Sequence, residues 1–191
     1  TAVAGAERVF EILDEQPEPP DRADAIPLPH PMGDIELRHV WFGYEPDMPV
    51  LKDVSVKIPA GTQAAIVGTT GSATTTVISL LTRFYDVSSG SILLDGHDLR
   101  DYRMEELRKG FGVVLQDTAL FHATVFENIR YGRPEATAEQ VKAAARTAEA
   151  DGFIGRLPQG YDTVLSQGGM ELSQGERQLL TIARAVLNRA P

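Results

Sequence analysis

A stretch rich in glycine, serine and threonine carries residues whose types and spacing could bind phosphate. Gly68 opens the stretch and Thr75 closes it, at the positions of the first glycine and of the Mg²⁺-binding hydroxyl in a phosphate-binding loop. In such a loop, backbone N–H groups and the N-terminus of the following helix face an anion. Ala73 and Thr74 stand where the pattern requires glycine and lysine. The loop is therefore predicted to keep its phosphate-binding backbone but to lack its main cation.

Two predicted strands and a helix would position this loop. The apolar run Ala64–Val67 predicts a buried strand before it, and apolar residues at helical spacing from Val77 to Leu81 predict a helix after it. A second buried strand is predicted at 111–116, and it ends in Gln116. A polar amide at the carboxyl end of such a strand lies where α/β folds bind ligands. A glutamine that merely ends the strand is the alternative.

Other patterns surround this unit. Alternating apolar residues at 35–42 and 54–58 predict antiparallel strands, and Tyr44 follows the first of them. Its ring could pack on the sheet or stack on a purine. Residues 124–160 are predicted to be helical. A glycine-rich turn then leads into a long helix, for which Ser173 is the predicted N-cap and Glu176 its capping-box partner.

The first 33 residues differ in composition from the rest. Residues 1–15 predict an amphipathic helix, which either packs on its own domain or ends a preceding one. Residues 16–33 contain half of the 12 prolines, so they predict an extended linker. A proline-rich ligand for a partner domain is the alternative.

Composition excludes several classes of function. The net charge of −9, without any basic run, argues against a nucleic-acid partner. The absence of cysteine excludes disulfides, thiolate nucleophiles and Cys-ligated metals, and the four histidines lack ligand spacing. No apolar stretch approaches the roughly 18 residues of a membrane span, so the chain is expected to be soluble by itself.

Four stretches in fixed order resemble the nucleotide-binding domain of an ATP-binding cassette (ABC) transporter of the exporter type. Tyr44 is similar to the A-loop aromatic residue, and Gln116 to the Q-loop glutamine. The Walker A loop corresponds to Gly68, Thr69, Thr70, Gly71, Ser72, Ala73, Thr74, Thr75 and Thr76. The signature motif corresponds to Leu172, Ser173, Gln174, Gly175 and Glu176.

The resemblance implies an α/β fold of the P-loop NTPase (RecA-like) type. It would have a mixed core sheet, an N-terminal antiparallel β portion and a helical subdomain at about 117–175. Residues 34–191 would form a partial nucleotide-binding domain with its C-terminal part missing. Residues 1–15 would end a transmembrane-domain helix and 16–33 would be the linker, which places the domain at the cytoplasmic face of a membrane.

The same resemblance implies roles for the site residues. Tyr44 would stack on adenine, while the loop amides and Thr75 would hold the phosphates of ATP and Mg²⁺. Gln116 would sense the γ-phosphate and the metal, and couple the site to the transmembrane domain. The signature would cap the γ-phosphate of ATP bound to a second nucleotide-binding domain, in a head-to-tail dimer.

Departures from the family pattern predict weaker ATP binding and no ATP hydrolysis. Losing one partner of a desolvated charge pair costs about 2–5 kcal/mol, so Thr74 in place of lysine should weaken ATP binding by roughly tens- to thousands-fold. The family's Walker B strand, catalytic glutamate and switch histidine would follow Pro191. The chain is therefore expected to be a truncated fragment without hydrolytic activity. An unpaired sheet edge would also favour self-association.

Two other functions stay open at the level of sequence. A non-enzymatic module for dimerisation or regulation would fit the loss of the loop lysine at Thr74. A chromosome-maintenance or DNA-repair ATPase would share the loop and the signature. Those proteins carry a long coiled coil between the two halves of the domain, and the chain between Gln116 and Ser173 has no room and no heptads for one.

Overall fold

The computed structural model describes residues 2–15, 18, 20–68 and 74–188, with only the backbone for residues 2–5. Its strands are β1 (Ile35–Phe42), β2 (Leu51–Ile58), β3 (Ser89–Leu94) and β4 (His97–Asp98). Its α-helices are α1 (Ala2–Asp14), α2 (Thr74–Leu81), α3 (Met104–Lys109), α4 (Val125–Arg130), α5 (Ala138–Thr147), α6 (Asp151–Ile154) and α7 (Gln174–Asn188). Short 3₁₀ turns lie at Leu99–Asp101 and Gly160–Asp162.

The four strands form one antiparallel sheet in the order β2-β1-β3-β4. Ile35 lies opposite Ile58 on one side and Leu94 on the other, so β1 is the central strand. Its inward side chains pack with Leu80 of α2, which docks that helix on the sheet. The predicted α/β class, with its antiparallel portion, is confirmed.

Two separate apolar cores hold the chain together. The sheet core gathers side chains of β1, β3, α2 and α3, including Leu37, Leu80 and Leu107. The helical core gathers side chains between Leu120 and Leu187, with Ile129 and Leu180 fully buried. Helix α7 contacts both α4 and α5, and its apolar residues from Leu179 to Leu187 belong to the helical core.

Two predicted strands are wrong. The runs 62–68 and 111–115 have no regular secondary structure, and Val67 and Leu115 are 91% and 61% exposed. A buried strand needs neighbouring strands to pair its backbone groups. Across the described ranges, neither run is paired with a strand of the sheet. The parallel part of the predicted mixed sheet is therefore absent from the described residues, because apolar composition alone does not supply a pairing partner.

The described residues of the proline-rich segment form no helix or strand; they include a turn in which the Ala25 N–H donates to the carbonyl of Arg22, and the segment is docked on the sheet domain. The backbone N–H groups of Met32 and Asp34 both donate to the carboxylate of Asp95, at 2.7 and 2.9 Å. Leu28 N–H donates to Glu106 at 2.8 Å, and Ile26 forms a bridge with Tyr102. These contacts satisfy backbone donors that a segment outside helices and strands would otherwise leave to water.

Helix α1 precedes this segment and is largely exposed to solvent. The side chains of residues 6–15 are all exposed, including the large apolar residues Phe10 and Leu13. Among the described residues, no helix combines the length and the apolar character needed to cross a bilayer.

Candidate nucleotide-binding site

The helix predicted after the phosphate loop is α2, and it begins at Thr74. Leu80 near its end is buried in the sheet core, which fixes the helix against β1 and β3. Gly68 is exposed and has no regular secondary structure. The predicted loop residues between Gly68 and the helix lie outside the described residues: Thr69, Thr70, Gly71, Ser72 and Ala73.

Tyr44 lies beside the first turn of α2. Its hydroxyl is 3.1 Å from the hydroxyl of Thr76, whose side chain is buried. The rings of Phe42 and Tyr85 meet Tyr44 nearly at right angles, with centroids at 5.1 and 5.2 Å. Edge-to-face pairs of this kind restrict the orientation of a ring. Tyr44 nevertheless stays 53% exposed, so part of the ring is open to a ligand.

A cavity of about 560 Å³ brings Thr75 and Gln116 together. Its wall is formed by the exposed side of α2 and by residues 111–117, and Asp117 also contributes to it. Hydroxyl, amide and carboxylate oxygens are the ligands that Mg²⁺ accepts in proteins, commonly together with substrate phosphates. None of the described residues that line this cavity is a lysine or an arginine. Among mostly apolar neighbours, the wall therefore carries oxygen atoms of the kinds that bind Mg²⁺ and supplies no cation for phosphates.

The signature residues occupy the start of α7. Leu172 is buried in the helical core, while Ser173, Gln174 and Gly175 are exposed. A Cβ atom added at Gly175 would meet nothing within 4 Å, so the space in front of the helix is open. None of these residues lines the cavity that holds Thr75 and Gln116.

The predicted cap of α7 is confirmed. Ser173 N–H donates to the Glu176 carboxylate at 2.9 Å, and Glu176 N–H donates to Ser173 Oγ at 3.3 Å. The Glu176 carboxylate also accepts the Ser173 hydroxyl at 2.8 Å, and the hydrogen bonds it accepts, first from the backbone of Ser173 and then from its side chain, lower the pKa of Glu176. Arg177 donates to the carbonyl of Leu172 at 2.7 Å and so holds the preceding turn against the helix.

The sequence model of the family described as ABC transporter matches residues 51–191. The chain belongs to the ABC transporter family. It is 52% identical to "Uncharacterized ABC transporter ATP-binding protein YfiC" of Bacillus subtilis (strain 168), over 98% of this chain and 31% of that protein. It is 48% identical to "Fatty acid ABC transporter ATP-binding/permease protein" of Mycobacterium bovis, over 99% of this chain and 30% of that protein.

A solved ABC exporter has the same fold. The chain superposes on "Structure of a bacterial Atm1-family ABC exporter with ATP bound" with a TM-score of 0.89 and 39% identity, over 99% of this chain and 33% of that one. The chain thus spans about a third of the length of the ABC transporters that it matches.

Two residues that the sequence did not single out lie next to predicted site residues. Asp117 directly follows Gln116 and shares its cavity with Thr75. Tyr85 lies far from Tyr44 in sequence, yet packs against its ring at 5.2 Å. Asp117 could have been found from its position next to Gln116. The contact of Tyr85, which follows α2, with Tyr44 is visible only in the tertiary structure.

Proposed function

We propose that this chain is the nucleotide-binding domain of an ATP-driven exporter, and that it binds Mg-ATP weakly without hydrolysing it. The observation that carries the proposal is the convergence of Tyr44 and Thr76, beside the first turn of α2, with Thr75 and Gln116 in the adjoining cavity. Three stretches distant in sequence thus meet around one helix N-terminus, where anions bind favourably.

Different residues bind the base, the phosphates and the Mg²⁺ ion of the nucleotide. Tyr44 offers a partly exposed ring for the base, which stacks on an aromatic face. The stretch from Gly68 to Thr74 corresponds to the family's Walker A loop, a motif whose backbone amides bind phosphates. Thr75 and Gln116 supply oxygen ligands for Mg²⁺, which in turn neutralises phosphate charge.

Weak binding and absent turnover follow from Thr74. A hydroxyl replaces the ammonium that would contact the β- and γ-phosphates, and the described cavity wall supplies no other cation. Truncating one partner of a buried charge pair costs about 2–5 kcal/mol, or roughly tens- to thousands-fold in affinity. In the transition state charge moves towards the leaving-group oxygens of the β-phosphate, so the loss of a cation there should lower the rate of hydrolysis further.

Two partners complete the proposal. Names such as "ATP-binding/permease protein" among the relatives support a transmembrane domain of the same transporter as one partner. The location at the cytoplasmic face of its membrane is what the resemblance to exporters implies. The exposed N-terminus of α7 supports a head-to-tail dimer, in which Ser173 and Gly175 meet nucleotide held by the second nucleotide-binding domain.

Calorimetry on the unsubstituted chain and on the double variant Ala73→Gly/Thr74→Lys tests the proposal. The double variant, the restored-loop variant below, should bind Mg-ATP at least ten-fold more tightly than the parent. Adding Thr75→Ala to it should weaken binding of Mg-ATP more than binding of ATP in excess chelator. The proposal fails if the restored-loop variant gains no affinity, or if the parent releases phosphate from ATP in proportion to protein concentration.

A non-enzymatic module is the second candidate, favoured by the same Thr74. On this reading the chain serves dimerisation or regulation, and nucleotide is not needed. Calorimetry separates the two, because a module of this kind would show no saturable Mg-ATP binding in the parent or in the restored-loop variant.

A further inference from the structure

Arg184 is an unusual cation in the middle of α7. Its guanidinium is half-buried, and within the described ranges it forms no salt bridge. Burial lowers the pKa of Arg184 from its ordinary value. A cation partly removed from water needs compensating partners, and here they include two backbone carbonyls and two aromatic rings.

The contacts of Arg184 reach across to the segment that follows Gln116. Nη1 donates to the carbonyl of Ala119 at 3.0 Å, and Nε donates to the carbonyl of Asn128 at 2.9 Å. The guanidinium carbon also lies 5.5 Å from the ring centre of Phe121 and 5.4 Å from that of Tyr131. One side chain of α7 therefore holds both ends of the stretch 119–131.

Asn128 holds the inside of the same stretch. Its side chain is fully buried, and its Oδ1 accepts the N–H of Phe121 at 2.9 Å. Its Nδ2 donates to the carbonyls of Phe121 and Thr124, both at 3.1 Å. Arg184 Nη2 completes the network with a longer contact of 3.4 Å to Asn128 Oδ1. The turn after Gln116 is thus fixed to α4, and α4 is fixed to α7.

Close backbone packing reinforces this connection. A Cβ atom at Gly132, just past α4, would lie 2.3 Å from the carbonyl oxygen of Arg184. Only glycine permits this approach. The carbonyl of Leu120 also accepts the N–H of Gly168, in the turn that precedes the signature. The segment that starts at Gln116 therefore meets α7 and its preceding turn at several independent points.

We propose that Arg184 is a positioning residue that ties the segment after Gln116 to the signature helix. A displacement of Gln116 by the nucleotide on its own copy would then move Ser173–Gly175, which face the nucleotide of the second copy. That Gln116 and Ser173–Gly175 each meet a nucleotide rests on the proposed function. The connection that Arg184 makes between the two segments, called the tie below, does not. Arginine suits this place because its planar fork reaches two separated carbonyls while its faces stack on rings; a lysine ammonium cannot do both.

Spin labels test the tie directly, and the absence of native cysteine makes the labelling specific. Asp117→Cys and Gln174→Cys place one nitroxide at each end, and electron paramagnetic resonance gives the distribution of distances between them. We expect a single narrow distribution in the parent and a broader one in Arg184→Lys. Arg130→Lys is the matched control: its guanidinium is exposed and lies over the ring of Phe126 instead. It should leave the width unchanged.

An unchanged width in a folded Arg184→Lys would overturn the proposal. Should that variant fail to fold, hydrogen exchange on the unsubstituted chain decides. The Phe121 amide, bound by Asn128, and the amides of α7 around Arg184 should exchange through one common opening with the same urea dependence. Separate openings would equally refute the tie.

A final arm separates this proposal from the proposed function. In the restored-loop variant, Mg-ATP should change hydrogen exchange at residues 173–175, and Arg184→Lys should reduce that change. If calorimetry detects no nucleotide at all, the proposed function fails while the label distances still report on the tie. If nucleotide binds and its effect on 173–175 is the same with Arg184→Lys, the coupling role is refuted while the proposed function stands.

Discussion

Removing the hydroxyl of Thr76 should weaken binding of the base of ATP and spare binding of its phosphates. Thr76→Val keeps nearly the same shape in a buried position, but it loses the 3.1 Å contact with the hydroxyl of Tyr44. A neutral hydrogen bond contributes about 0.5–1.5 kcal/mol net, which is about 2- to 13-fold in an equilibrium constant. Tyr44 is half exposed and its hydroxyl can bond to water instead, so we expect the lower half of that range.

Calorimetry in the restored-loop variant is the assay, with Mg-ATP and magnesium tripolyphosphate as the two ligands. Thr76→Val should lower the affinity for Mg-ATP about 2- to 4-fold and leave that for tripolyphosphate unchanged. Thr82→Val is the matched control: Thr82 is also buried and directly follows α2, but its hydroxyl donates to the carbonyl of Ile78. Equal losses for both ligands, or a base-specific loss in the control, would refute the role of Thr76 in orienting Tyr44.

Three further predictions concern the fold and its assembly. Leu172→Ala, at a buried position of the helical core, should lower the free energy of unfolding by about 2–5 kcal/mol in urea titrations, whereas Met170→Ala, 79% exposed, should change it little. Burial alone would raise the pKa of Asp98, but hydrogen bonds from Arg100 outweigh it and lower that pKa. This stability is therefore present above the unfolded pKa of about 3.9 and lost as pH falls through the lower folded value; urea midpoints should show less acid sensitivity in Asp98→Asn. The exposed runs around Val67 and Leu115 should drive self-association at tens of micromolar in light scattering; Leu115→Asp should reduce it, Met170→Asp should not, and a strict monomer in the parent would contradict this.

Local chemistry explains what could be predicted from the sequence. The Gly/Thr loop, Tyr44 after β1, Gln116 and the signature motif are short patterns. Each can be recognised from residues that are adjacent in sequence. The cap of α7 depends on Ser173 and Glu176, which are three residues apart, and both hydrogen bonds are present. The alternating apolar residues of 35–42 and 54–58 likewise led to the observed antiparallel pair of β1 and β2, which are consecutive strands of the chain.

Only the tertiary structure decided which distant residues meet. The runs 64–67 and 111–116 are apolar enough for buried strands, yet a strand exists only where another strand pairs its backbone, and none of the described strands does so. Proline content predicted a linker at 16–33 but gave no sign of its docking on Asp95 and Glu106. The stack of Tyr85 on Tyr44 and the reach of Arg184 to Ala119 are long-range contacts of the same kind. Such contacts depend on packing between elements, and no periodicity within an element encodes them.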